Sequence, residues 1–201
     1  MFITVNITIP NFNTASLLMS INNWIVIQQR LDGRSCFNQS YVIYELGFGD
    51  FSNNFWLGLE KMYQLTINAP YRLRIEMQSV DQDKWFSAEY DSFFLTSKSL
   101  GYALYVSGYV GDAGDALNVN INSGIYSQNG MKFSAFDSDH DLSAYTNCAA
   151  DDQSGFWYNQ CSYACLNCVY NTTKFNWKTL YDRGLVVSSQ LKTSRMMAKA
   201  I

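Results

Sequence analysis

Residues 71–78, YRLRIEMQ, alternate apolar and polar side chains, and a period of two is the signature of a half-buried antiparallel strand. Strand-like runs recur at 23–30 (NWIVIQQR), 84–96 (KWFSAEYDSFFLT) and 102–111 (YALYVSGYVG). Together they predict a mostly antiparallel sheet as the core. Two shorter patterns read as helices packed on it: NQSYVIYELGFGD, with Tyr41, Tyr44 and Leu46 at near-helical spacing, and NNFWLGLEKMYQLT, with Trp56, Leu59 and Met62 on one face. Aromatic residues form 16% of the chain, with 14 Tyr and 13 Phe, a composition that suits sheets and packed loops and argues against an all-α fold.

From residue 112 the periodicity dissolves into Gly, Asp, Asn and Ser with isolated aromatics, and it returns only at SSQLKTSRMM. A long irregular stretch inside a compact domain points to a functional loop region that needs cross-links or metal to hold its shape. With 201 residues and 48% hydrophobic content the chain can build a sizeable core. Its 14 Lys and Arg against 17 Asp and Glu give a net charge of −3 without a basic block, which excludes a nucleic-acid-binding surface. The N-terminus MFITVNITIPNFNTASLLMSINNW has no basic residue ahead of an apolar run, so no signal peptide is visible, and no stretch has the length of a membrane span.

Two clusters lie in the irregular stretch. Asp137, Asp139 and Asp141 alternate in DSDHD, and Cys148, Cys161, Cys165 and Cys168 follow. The acids read either as a solvated turn or as a hard-cation site, since alternate carboxylates in a loop can turn inward together. An EF-hand is excluded, because Leu142 stands where that loop needs Gly and Cys148 where it needs Glu. His140, the only histidine, is expected in an exposed turn, since calcium disfavours nitrogen. The cysteines allow disulfides, a redox Cys-x-x-Cys or a four-thiolate zinc site, and Cys36 is left over as a buried apolar residue or a link to another chain. Sequons begin at Asn6, Asn38 and Asn171. One histidine inside an acidic turn gives no support to a nucleophile and base pair, so an enzyme is not expected.

WIVIQQRLDG, NFWLGLEKMYQLT, YRLRIEM, SAEYDSFFL, YVGDAGDAL, NGMKFSAFDSDHD, NCAADDQSGFWYNQC and LNCVY follow one another in an order that resembles the fibrinogen C-terminal domain, over about residues 22–197. The resemblance implies an α+β fold: a twisted, mostly antiparallel sheet subdomain over 22–111, a loop-rich calcium and ligand subdomain over 112–180, and a returning strand over 181–197. Residues 1–21 are then an atypical or incomplete N-terminal segment and 198–201 a tail. It also implies an extracellular, secreted recognition module, a disulfide between Cys148 and Cys161, and a structural calcium held by Asp139 and Asp141 with carbonyls of Ser143 and Tyr145. Closing that disulfide loop is worth about 3 kcal/mol by the chain-entropy relation.

By the same resemblance the ligand pocket falls at Asp151, Asp152, Trp157, Tyr158 and Ser162. Here the chain departs from the family pattern. Ser162 replaces the usual His after the second cysteine, Asp152 stands where acetyl-binding members carry an aromatic, and the segment between Tyr170 and Trp177 is shortened. Cys165 and Cys168 are additional, a further candidate pair. Two functions remain. One is lectin-like, calcium-dependent binding of glycan or acetylated ligands, as in innate-defence members; the other is a structural or adhesive domain that binds an extracellular protein and uses calcium and disulfides only to maintain its fold. Homo-oligomerisation is open under both.

Overall fold

The computed structural model describes residues 3–7, 16–81, 83–120, 124–179, 181–182, 185–186 and 189–201. In chain order the elements are β1 (Ile3–Ile7), β2 (Ser16–Ile21), β3 (Trp24–Arg30), α1 (Tyr41–Leu46), β4 (Phe48–Gly49), β5 (Phe55–Trp56), α2 (Leu59–Ile67), β6 (Tyr71–Ser79), β7 (Trp85–Leu95), β8 (Leu104–Gly111), β9 (Phe133–Ser134), α3 (Cys148–Asp151), β10 (Phe156–Trp157), β11 (Ala164–Cys165), β12 (Asn176–Trp177), β13 (Tyr181–Asp182), β14 (Leu185–Val186) and β15 (Leu191–Ala200).

The main sheet runs β1-β2-β3-β15-β6-β7-β8, with β4 and β5 attached beside β3, and every pair is antiparallel. In β6 the alternation seen in the sequence becomes alternating burial, with Tyr71, Leu73, Ile75 and Met77 turned to the core. In β7 the buried set shifts from Phe86, Ala88 and Tyr90 to Phe93 and Leu95. An irregular register causes this: Tyr71 faces Phe93 but Leu73 faces Tyr90, so an extra residue on β7 resets the phase. The last strand, β15, lies between β3 and β6, and carries the chain from the loop-rich region back into the middle of the sheet. It starts at Leu191, later than the 181–197 expected; β13 and β14 form a separate two-stranded ladder before it. Residues of the N-terminal segment form β1 and β2, a hairpin that extends the sheet beyond β3.

The helices form where the sequence places them and stop for identifiable reasons. Ser40 caps α1 by accepting from the Ile43 N–H, and Gly47, at φ 94°, ends it. Helix α2 buries Leu59, Met62 and Leu65, while Trp56 belongs to β5. The loop-rich stretch shares the sheet's core: Leu117, Phe133, Phe156, Trp157, Tyr158, Phe175 and Trp177 are all fully buried in one cluster with Trp56 and Tyr44. Rings of Phe133 and Trp157 lie 5.3 Å apart, those of Trp56 and Trp157 6.0 Å, and the Trp157 indole N–H donates to the Tyr102 carbonyl at 2.9 Å. Gly155 sits against this cluster, where a Cβ would come within 2.5 Å of Tyr44 and 2.7 Å of Phe133.

Candidate functional site

The acidic run folds as successive turns closed by side chains. Asp139 Oδ1 accepts from the Asp141 N–H at 3.1 Å, Asp141 Oδ1 from Ser143 at 2.8 Å, and Ser143 Oγ from Tyr145 at 3.4 Å. Asp141 Oδ2 also accepts from the Cys148 N–H at 2.8 Å, which anchors the run to α3. Asp137 is engaged elsewhere: its carboxylate accepts from the Tyr41 N–H at 2.8 Å and docks the run on α1. His140 is half-buried rather than exposed, bonded through Nδ1 to the Phe133 carbonyl at 2.7 Å, with its ring edge-on to Tyr41.

Burial raises the pKa of Asp141, the N–H groups of Cys148 and Ser143 oppose this, and the neighbouring Asp139 carboxyl raises it further. Among the described residues no Lys or Arg forms an ion pair with either acid, and no N–H donates to the carbonyls of Ser143 or Tyr145. The two neighbouring carboxylates are thus held by backbone N–H groups and not by a described cationic side chain.

Asn147 caps α3, accepting from the Ala150 N–H at 2.8 Å, and both cysteine pairs that follow are closed. Cys148 bonds Cys161, and Cys165 bonds Cys168. A four-thiolate zinc site is therefore excluded, since neither disulfide offers a thiolate. Asp152, Cys165 and Cys168 bring their ligand atoms within 4.8 Å of one another, but with the two sulfurs bonded only the carboxylate remains a ligand. Cys36 is free and exposed, not a buried apolar substitute.

The residues expected to form the ligand pocket separate into two groups. Asp151 is exposed on α3, whereas Asp152 is half-buried with Oδ1 3.3 Å from Lys174 Nζ. Burial raises the Asp152 pKa and Lys174 counters it. Lys174 also donates to the Asp151 carbonyl, so the shortened 171–176 segment folds onto the acids. Trp157 and Tyr158 have no exposed surface, and the Tyr158 hydroxyl meets Ser154 Oγ at 2.6 Å. Ser162 is buried, and its carbonyl accepts from Lys178 at 2.9 Å. The sequons of Asn38 and Asn171 are exposed; Asn6 lies in β1 opposite Leu17, its side chain outside the described part.

A second feature gave little signal in the sequence. A cleft of about 490 Å³ opens between residues 33–38 and 167–171, with Arg30 and Arg34 in its lining. Arg30 ends β3, where Gln28, Gln29 and Arg30 are all buried although polar. Three polar residues closing an apolar strand are the only trace of this in the sequence.

A sheet built around its own C-terminal strand and a disulfide-closed loop region behind an acidic run together define a fibrinogen-like globular domain. The chain belongs to this family: the family model described as fibrinogen beta and gamma chains, C-terminal globular domain, matches residues 12–199. It is 37% identical to "Protein scabrous" of Drosophila melanogaster over 90% of its own length and 21% of that protein. It is 38% identical to human "Fibrinogen-like protein 1" over 81% of its length and 53% of that protein. The chain thus spans about half the length, or less, of these relatives. The fibrinogen-like globe domain of human ANGPTL2 superposes with a TM-score of 0.79 at 31% identity, covering 100% of this chain and 92% of that one. Lamprey fibrin D-dimer, solved with the peptide Gly-His-Arg-Pro-amide, gives 0.80 at 32% identity over 92% of this chain and 65% of that one. What the chain shares with these relatives is the fibrinogen-related domain itself.

Proposed function

We propose that this domain acts outside the cell as an adhesive, protein-recognition module whose loop-rich region is held by two disulfides and a calcium ion. Asp139 and Asp141 would supply carboxylates to the ion and Ser143 and Tyr145 backbone carbonyls, and the ion would supply charge compensation that no side chain among the described residues provides. The observation that carries the protein-binding reading is the burial of Trp157 and Tyr158 with Asp152 held by Lys174. Sugar sites depend on accessible aromatic faces and free polar groups, and here those groups are spent on the core. Asp151 remains exposed at the same place, available to a partner. The paired cysteines fit an oxidising, extracellular compartment.

The test is a parallel screen of the oxidised domain, in calcium and in chelator, against a displayed peptide library and an array of acetylated glycans. Selective peptide enrichment without glycan retention is expected. Calcium-dependent retention on acetylated sugars by the folded domain would overturn this reading in favour of a lectin.

A further inference from the structure

At the end of β3 the chain buries a guanidinium without a carboxylate. Arg30 is 1% exposed; its Nη1 donates to the carbonyls of Leu166 at 3.5 Å and Cys168 at 3.1 Å, and its Nε has no partner. Its Cζ lies 4.0 Å from the ring centre of Phe37, 5.1 Å from Phe175 and 5.7 Å from Tyr170. Burial lowers its pKa to about 10, so it stays charged at neutral pH, held by two carbonyls and three ring faces. A buried charge ordinarily pairs with an opposite one, and among the described residues none forms an ion pair with Arg30.

Arg30 lies at the floor of the cleft and Arg34 at its rim, with a side chain 77% exposed. The cleft lining contains these two arginines and no Asp or Glu, a local reversal of sign in a chain of net charge −3. Asp32, which does not line the cleft, accepts from Arg34 Nε at 2.7 Å and lies 2.5 Å from Nη2, so that edge of the rim guanidinium is occupied and Nη1 is the nitrogen without a described partner. The side-chain amides of Asn38, Gln153 and Asn171 also line it, and none is engaged by a described hydrogen bond.

We propose that this cleft is a carboxylate-binding subsite that takes an acidic side chain or C-terminus of the protein partner. A guanidinium fork matches a carboxylate in two-point geometry, and the amides complement peptide groups. A sulfated polysaccharide would need an extended basic surface, and no Lys lines the cleft. The inference rests on the protein-binding reading above and names the chemistry of the partner and the face it meets.

The test uses the oxidised domain freed of N-glycans, because Asn38 and Asn171 border the cleft, with fluorescent hexaglutamate amide, hexaglutamine amide and a heparin hexasaccharide as probes. Hexaglutamate is expected to bind in calcium and in chelator alike, with hexaglutamine weaker by about tenfold or more, the loss of one charge-assisted contact. Arg34→Glu, a surface change, should weaken hexaglutamate to the same extent, as should Arg30→Met provided its melting shows a folded domain. Bound hexaglutamate should also slow maleimide labelling of Cys36, which lines the cleft as the free thiol. Absent hexaglutamate binding, equal binding of both peptides, indifference to Arg34→Glu, an unchanged labelling rate, or tighter binding of the heparin hexasaccharide would each overturn the proposal. If the peptide screen still enriches ligands, only the subsite fails and protein recognition stands.

Discussion

Calcium added to the oxidised domain at a hundredfold excess over its Kd should raise Tm by about 6 °C. A ligand that binds only the folded state contributes about 2.7 kcal/mol at that excess. Unfolding entropy of roughly 2.1 cal/mol/K per residue means that each degree for a chain of this size corresponds to about 0.4 kcal/mol. The structure separates the metal's contribution from that of the loop's own hydrogen bonds. Asp139→Asn keeps the side-chain oxygen that accepts from Asp141, so its chelated form should melt close to wild type while the calcium shift disappears. Asp141→Asn loses one of two acceptors, for Ser143 or for Cys148, and should melt lower even in chelator by about 1–3 kcal/mol. Asp137→Asn changes the contact to Tyr41 and should keep the whole calcium shift.

Differential scanning calorimetry of the four proteins, each in calcium and in chelator, gives all the comparisons. Identical melting of wild type in both conditions would refute the reasoning, because it would make the run a set of self-satisfied turns. A full shift in Asp139→Asn would relocate the ion.

Other outcomes follow from the packing. Replacing Cys148 and Cys161 by Ser should cost about 3 kcal/mol in urea unfolding, and replacing Cys165 and Cys168 about 2 kcal/mol, because the first loop spans 13 residues and the second 3; a reversed order would show that strain or residual structure outweighs loop entropy. Gly155→Ala should destabilise by about 1–3 kcal/mol through overpacking against Tyr44 and Phe133, and an unchanged urea midpoint would mean that both rings move aside freely. Gln28→Leu should cost about 1–3 kcal/mol, because the buried Gln28 amide donates to the Leu166 carbonyl, Asn167 Oδ1 and Ser194 Oγ, and stability equal to wild type would show that these acceptors find other donors.

The sheet was legible where burial is one-sided, because alternation then survives in the sequence; β6 is the clearest case. It was less legible at β15, where Met196, Met197 and Ala198 are consecutively buried across a register shift beside β3. In β1 Ile3, Val5 and Ile7 alternate with Thr4 and Asn6, the same period as β6, whereas its partner β2 carries Leu17, Leu18 and Met19 in succession and so gives no alternation from which to read the hairpin. In the site, the turns closed by Asp139 and Asp141 are local, with partners within a few residues, whereas the contact of Asp137 with Tyr41 spans 96 residues and leaves no local trace. The fate of Trp157 and Tyr158 could not be read: an aromatic pair serves equally as a pocket wall or as core, and for Trp157 the choice depends on Phe133 and on the Tyr102 carbonyl, both distant in sequence.

The polar end of β3 shows why the cleft stayed hidden and what the second disulfide does. Gln28 and Arg30 both donate to the Leu166 carbonyl, and Arg30 also to that of Cys168. These carbonyls belong to the four residues closed by the Cys165–Cys168 bond. The bond limits the backbone freedom of the turn that presents them, so the guanidinium meets acceptors already in place rather than ordering them at its own entropic cost. Asn167, in the same turn, donates to the Gly155 carbonyl and carries the constraint to the ring cluster of Tyr44 and Phe133. The seam between sheet and loops is therefore polar and over-determined, a way to keep an uncompensated cation in a fixed position beside an open cleft.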